Sequence, residues 1–254
     1  MPSRGHDSHF DTLVWALGST ADTSEVPGAA ENAYTLDSLT DARALADRLE
    51  HLDHGDVMVC GTGLTGVETA AEIAERHPAL TVRLVGRDEP GATLTPKARA
   101  YLQAALTRLR VRVETGTEIR KVLPGTADVV VWTAGTRVSP LAAAAGLEVD
   151  DRGRIVTDPG PRSVNHPHVY AVGDAAAVRL GYGVMHGTCQ GGMPTGVHAA
   201  VSITRRLDGK YARPPTGPGN TCAPGGPGSA PTAGTSATSP TVSWPRRPAA
   251  TSTG

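Results

Sequence analysis

The chain has 254 residues and a formal net charge of −1, with 24 Lys and Arg against 25 Asp and Glu. It is long enough for one large or two small domains, and it lacks the basic footprint of a nucleic-acid binder. No apolar run reaches the length of a membrane helix, and the opening MPSRGHDSHFDTLV lacks the apolar core of a signal peptide, so a cytoplasmic location is expected. Cys60, Cys189 and Cys222 lie far apart, which argues against a disulfide framework or a zinc site; the absence of C-x-x-C argues against a thioredoxin-reductase type of redox disulfide.

In chain order, the first predicted element is a buried strand, TLVWA, within FDTLVWALGS (Phe10 to Ser19), ending at Gly18. DVMV (Asp56 to Val59) reads as a second strand and runs into CGTGLTGVETAAE (Cys60 to Glu72). There Gly61, Gly63 and Gly66 have the spacing G-x-G-x-x-G, with Leu64 and Thr65 inside the loop. VETAAEIAERH (Val67 to His77) has an apolar stripe at Val67, Ala70, Ala71 and Ala74 and predicts a helix; LTVRLV (Leu80 to Val85) predicts another strand. Strand, glycine turn, helix and strand within about 30 residues is the context a dinucleotide fingerprint requires. In that reading Gly61 makes the tight turn, Gly63 lets the backbone approach a pyrophosphate and Gly66 lets the helix pack on the strand. The pyrophosphate would lie on the free N–H groups of the helix N-terminus. The plainer alternative is an ordinary strand–turn–helix connection.

The carboxylate that binds an adenosine 2′-hydroxyl is expected at the end of the second strand, about 20 residues past the loop. Gly86 stands there, followed by Arg87 and Asp88. Arg87 could pair with a 2′-phosphate, which tilts the expectation toward NADPH or toward no discrimination; it could equally be a solvated loop charge. Farther on, HVYAVGDAA within Asp128 to Val178 predicts a strand ending on Gly173 and Asp174. Asp174 is either a ligand-facing carboxylate at the carboxyl end of a parallel sheet or a helix N-cap. AVSITRRL (Ala200 to Leu207) predicts the last helix. From Gly209 to Gly254 the chain is Pro, Gly, Ser, Thr and Ala, a composition expected to stay disordered.

Together TLVWALGS, VCGTGLTGVETAAE and HVYAVGDAA resemble, in order and interval, the two-dinucleotide flavoproteins, the pyridine-nucleotide-dependent FAD oxidoreductases, and within them the type II NADH dehydrogenases and apoptosis-inducing-factor-like reductases. The likeness covers roughly Phe10 to Leu207. It implies an α/β fold in which a Rossmann-like NAD(P)H domain is inserted into an FAD domain. The expected division is 1–25 and 135–208 for the FAD domain, here incomplete, 26–134 for the NAD(P)H domain, and a tail at 209–254. The glycine loop then occupies the nicotinamide slot. The flavin's own glycine loop would precede Phe10, where nine residues hold no fingerprint, so a truncated or frame-disrupted member is expected. TLVWA and VYAV would then lack the central strand between them, exposing sheet edges and favouring a homodimer.

The resemblance assigns FAD and NAD(P)H as cofactors and a small-molecule electron acceptor, quinone-like or other, as partner. It implies that Asp174 binds the ribityl chain and that Glu68 lies near the nicotinamide, where a solvated first-turn glutamate is the plain alternative. In MHGTCQGGMPTGVHAAVSI (Met185 to Ile203) it implies a helix N-terminus aimed at the flavin, where Gly191, Gly192 and Pro194 suit a close backbone approach and a helix start, with free N–H groups around Met193 to Gly196 and Gln190 beside the ring. Gly18, Gly135 and Gly173 are carried over as further cofactor contacts. No catalytic residue or metal ligand is singled out. The implied activity is hydride transfer from NAD(P)H to flavin and onward; the alternative is a non-catalytic dinucleotide-binding module or an inactive fragment.

Overall fold

The computed structural model describes residues 10–180, 183–184 and 189–209, so the expected coil beyond Gly209 lies outside the described residues. Its principal elements are β1 (Leu13–Trp15), α1 (Leu39–Glu50), β2 (Gly55–Cys60), α2 (Leu64–Arg76), β3 (Leu80–Val85), α3 (Pro96–Arg108), β4 (Arg112–Glu114), β5 (Val129–Trp132), β6 (Val169–Ala171) and α4 (Cys189–Leu207). The α/β class expected from the sequence is the one observed. Among the described residues no helix is long and apolar enough to cross a membrane.

Four strands form one parallel sheet in the order β4-β3-β2-β5, with Val57 opposite both Val82 and Val129. Because strand side chains alternate between faces, Val57, Val59, Val82, Leu84, Val129 and Val131 share one face. That face packs against Leu45 and Leu49 of α1, Val67, Ala70 and Ile73 of α2, and Leu106 of α3. The opposite face carries Met58, Cys60, Val130 and Trp132, covered by Ala29 and Val122. Burial on both faces explains why these strands read as near-continuous apolar runs. Two helices absent from the sequence reading have capped starts. The Ser38 hydroxyl accepts from the Asp41 N–H before α1, and Thr95 accepts from Ala98 ahead of Pro96 in α3.

The chain enters and leaves this sheet through a paired crossing. Thr20–Ala21 runs antiparallel to Thr136–Arg137, the Asp22 N–H donates to the Gly135 carbonyl at 3.2 Å, and the Trp132 indole donates to the Asp22 carbonyl at 2.8 Å. On the far side of the crossing β1 and β6 pair in parallel, Leu13 against Val169 and Trp15 against Ala171. The two strands pair directly with each other, which corrects the expectation of a gap between them where a central strand is lost. Leu13 N–H bonds the His168 carbonyl and Val172 N–H the Trp15 carbonyl. Leu13 and Trp15 also join Val169, Ala171, Ile155, Ala176 and Leu147 in one apolar cluster, which sets the register.

A second correction concerns α4, which begins at Cys189 rather than at Pro194; Pro194 lies inside the helix. Proline favours the first helical position only as a tendency, and one more turn on its N-terminal side lets Thr195 reach the end of β6. The Thr195 hydroxyl accepts from the Gly173 N–H at 3.0 Å and lies 2.9 Å from the Gly191 and Gly192 carbonyls. The first turn of α4 therefore lies ahead of Met193, not over the Met193 to Gly196 stretch where free N–H groups were expected.

Candidate functional site: two strand ends beside a paired crossing

The nucleotide loop lies at the carboxyl ends of β2 and β5, the point where the chain order reverses across the sheet and where open α/β folds bind ligands. Each glycine of the loop meets a different physical demand. Gly61 has φ +114°, and a Cβ there would come within 2.9 Å of the Ala134 nitrogen and the Thr133 hydroxyl. A Cβ on Gly66 would lie 1.8 Å from the Gly61 carbonyl oxygen, so the helix can approach the strand only with hydrogen at that position. Gly63 is different. Its φ of −67° suits any residue, and a Cβ there meets nothing within 4 Å. Nothing among the described residues requires glycine at 63, whereas a pyrophosphate lying against the backbone would.

Gly63 is also the residue that precedes α2, and it supplies no side-chain cap. The N–H groups of Leu64, Thr65 and Gly66 therefore begin a thirteen-residue helix without a capping oxygen, as an anion site requires. Leu64 and Thr65 are exposed at this mouth. Thr133, unnoticed in the sequence, braces the loop by donating its hydroxyl to the Cys60 carbonyl at 2.8 Å. Its position at the end of DVVVWT, opposite the glycine loop across the parallel pair, was the available signal. Burial pushes the Cys60 thiol up to about 12, so this residue is a packing group and not a thiolate.

Glu68 is exposed on α2 and lines a cleft of about 730 Å³ between α1 and α2, whose apolar wall includes Leu45, Leu49 and Ile73. Arg87 is exposed just past β3, its carbonyl held by the Gly116 N–H at 3.0 Å.

The second strand end brings together residues 155 positions apart. Ser19 Oγ donates to Asp174 Oδ2 at 2.6 Å, joining the segment that follows β1 to the segment that follows β6. Both turns are made by glycine in the left-handed region: Gly18 at φ +65°, with open space where a Cβ would be, and Gly173 at φ +63°. Asp174 sits in a short 3₁₀ turn, Gly173–Ala175, without capping it through its side chain, which removes the N-cap alternative. A Cβ on Gly173 would come within 3.8 Å of the Gly192 Cα, so α4 passes close to this strand end. Gly135 belongs to the crossing, at φ +75° and beside Asp22. Met193 is exposed, and Pro194 lies in the same stretch of α4; Gln190 falls in the first turn, with its side chain outside the described residues. The half-buried Asp174 carboxylate and the glycine turns fit a polyhydroxyl chain, and the uncapped α2 start with its open Gly63 fits a pyrophosphate.

Comparisons with known proteins agree with this geometry. The family described as pyridine nucleotide-disulphide oxidoreductase matches residues 3–203. An NADH dehydrogenase-like protein of Mycobacterium tuberculosis is 33% identical over 235 residues, covering 81% of this chain and 58% of that protein. The demethylphylloquinone reductase of Synechocystis is 28% identical over 228 residues, covering 81% of this chain and 56% of the other. A ferredoxin reductase from Rhodopseudomonas palustris superposes with a TM-score of 0.65 at 24% identity, over 78% of this chain and 52% of that one. The chain thus spans somewhat more than half the length of the curated relatives it matches. A pyridine nucleotide-disulphide oxidoreductase from Desulfovibrio vulgaris that is described as FAD-dependent superposes with a TM-score of 0.60 at 23% identity, over 81% of this chain and 56% of that one.

Proposed function

The chain belongs to the pyridine nucleotide-disulphide oxidoreductase family, and on that premise we propose that it binds NAD(P)H at the Gly61–Gly66 loop and FAD at the Ser19–Asp174 strand ends, as part of an NAD(P)H oxidoreductase. The observation that carries the reading is Gly63, the one glycine of the fingerprint that neither packing nor backbone conformation explains. Its open side and the uncapped N–H groups that follow hold a diphosphate by close backbone approach and by the helix dipole. Asp174, held in place by Ser19, accepts hydrogen bonds from ribityl hydroxyls through its remaining lone pairs. Glu68 orients the nicotinamide side of the cofactor. When bound, the flavin supplies the chemistry that accepts a hydride from NAD(P)H and passes electrons onward. The protein's part is to hold and orient each cofactor at the carboxyl ends of its own parallel strands.

The acceptor proposed is a quinone-like small molecule, supported by the relative named as a demethylphylloquinone reductase. The proposed division is a nucleotide domain at 26–134 with flavin-side segments at 1–25 and 135–208 and a tail at 209–254, located in the cytoplasm. Exposed Val14, Met193 and Val197 on the flavin side support self-association as a homodimer, which gel filtration checks.

The test is the flavin absorbance of the purified chain with and without added FAD, followed by NAD(P)H oxidation with a soluble quinone. Flavin-dependent oxidation supports the reading. A protein that stays colourless after incubation with FAD and oxidises no NAD(P)H overturns it.

A further inference from the structure

Two of the helices that cover the parallel sheet do not close on each other. The cleft between them is lined by Ala42 and Ala46 of α1, one turn apart, and by Thr69 and Ile73 of α2. Small side chains at that spacing leave a volume of about 730 Å³, the size of an ordinary small-molecule pocket. Its apolar floor is the buried Leu45, Leu49 and Ile73, and Ala46 is exposed at its opening.

The polar groups of the cleft are unbalanced. The Thr69 hydroxyl donates to the Thr65 carbonyl at 2.7 Å, and Arg76 is paired with Glu72. Glu50 and Glu68 line the same cleft in exposed positions, and among the described residues neither enters an ion pair. Glu68 carries the nicotinamide contact proposed for the nucleotide, which leaves Glu50. It is the last residue of α1, where the helix dipole disfavours a negative charge. Arg48, the basic residue of that turn, is directed instead to the Asp128 carbonyl at 3.4 Å. The half-buried His77 completes the polar lining.

An apolar floor with an unpaired carboxylate at its rim selects an apolar molecule that ends in a cation. We propose that the cleft between α1 and α2 binds a small organic ammonium, an alkyl or aryl-alkyl amine, with its apolar body on Leu45, Leu49 and Ile73 and its ammonium group at Glu50. An anionic ligand meets net repulsion there, because Glu50, Glu68 and Glu72 outnumber Arg76.

The probe is dansylcadaverine, an aromatic body on an alkyl chain that ends in a primary ammonium. It is compared with neutral dansyl pentylamide and with anionic dansyl-aminohexanoate, by fluorescence titration of the full chain at low salt and without nucleotide. Wild type should bind the cation saturably and about fivefold more tightly than the neutral probe, the scale of a partly exposed ion pair, with the anion weakest. Ala46→Trp, an exposed change that fills the cleft, should weaken all three by about tenfold or more. Glu50→Gln should bring the cation within about twofold of the neutral probe and leave neutral binding as in wild type. Because it removes a charge that the dipole disfavours, it should melt no lower than wild type.

No saturable binding, equal affinity for cation and neutral probe, or wild-type binding in Ala46→Trp overturns the site. Full cation preference surviving in Glu50→Gln overturns the placement of the ammonium group. A wild-type dimer that sediments as a monomer in Ala46→Trp puts a second copy in the cleft and overturns the small-molecule assignment. Should Ala46→Trp fail to fold by circular dichroism, the cation preference of wild type and its loss in Glu50→Gln still decide the matter. With no nucleotide present, each of these failures leaves the reading of the Gly61–Gly66 loop intact.

Discussion

The two halves of this molecule are built to different standards of burial. The half proposed to hold the nicotinamide nucleotide, the nucleotide half, is a four-stranded parallel sheet with apolar cover on both faces, and its core runs through three helices. The half proposed to hold the flavin, the flavin half, has paired strands of two or three residues, a small cluster around Ile155 and another around Tyr170. The difference teaches where each site draws its precision. The glycine loop is set by steric contacts that cannot relax, whereas the Asp174 site is set by a few hydrogen bonds, from Ser19 to Asp174 and from Gly173 to Thr195. Loss of one packing contact should cripple the first half. Loss of one hydroxyl should loosen the second.

The largest expected effect comes from breaking the contact that defines the nucleotide half. Gly66→Val places carbon atoms where the Gly61 carbonyl lies, 1.8 Å from the ideal Cβ, and should cost about 3 kcal/mol or more, read as a fall in the urea midpoint. Thr195→Val is the corresponding change on the flavin side. It strands the Gly173 N–H beside α4 and should cost about 1–2 kcal/mol in the same measurement, with a parallel fall in retained flavin.

A smaller effect separates polar from apolar support within the flavin half. Arg154 holds Asp150 through two hydrogen bonds, at 2.9 and 2.7 Å. Burial acts to raise the Asp150 pKa, but the bonds from Arg154 and from the Arg154 and Arg152 N–H groups outweigh it and hold the carboxyl below its ordinary 3.8. A folded-state value below the unfolded one means the pair stabilises above about pH 4 and loses that contribution as pH falls. Arg154→Ala should therefore cost about 1 kcal/mol at pH 7 and progressively less as pH falls below about 4, as a series of thermal melts across that range would show. Smallest of all is the response of Cys60. With its thiol pushed up to about 12 and its side chain buried, it should remain unmodified by iodoacetamide at pH 8 in the native protein, checked by peptide mapping.

The same contrast governs what could be read in the residues beforehand. Strands β2 and β3 and the helix between them were legible because apolar alternation, glycine spacing and β-branched content all point one way. Helices α1 and α3 carry caps at Ser38 and Thr95, but neither adjoins a glycine fingerprint that would mark it in the sequence. In the flavin half, pairing is non-local: nothing near Leu13 in sequence says that Val169 is its neighbour, and a proline at 194 outweighed the glycines before it when the start of α4 was placed. Asp174 was legible as a strand-end carboxylate, yet its partner Ser19 was not, because a bond across 155 residues leaves no local trace.

The central claim is that Gly63 is glycine for the sake of a nucleotide and not for the sake of the fold. The most direct measurement pairs thermal melting with NADPH titration for wild type and Gly63→Val. At φ −67° and with open space around its Cβ, the valine should shift stability by less than about 1 kcal/mol, while crowding the pyrophosphate and weakening NADPH binding by about tenfold or more. An unchanged melting temperature with binding lost is the predicted result. Binding that survives the valine, or a melting temperature that collapses with it, would contradict the account.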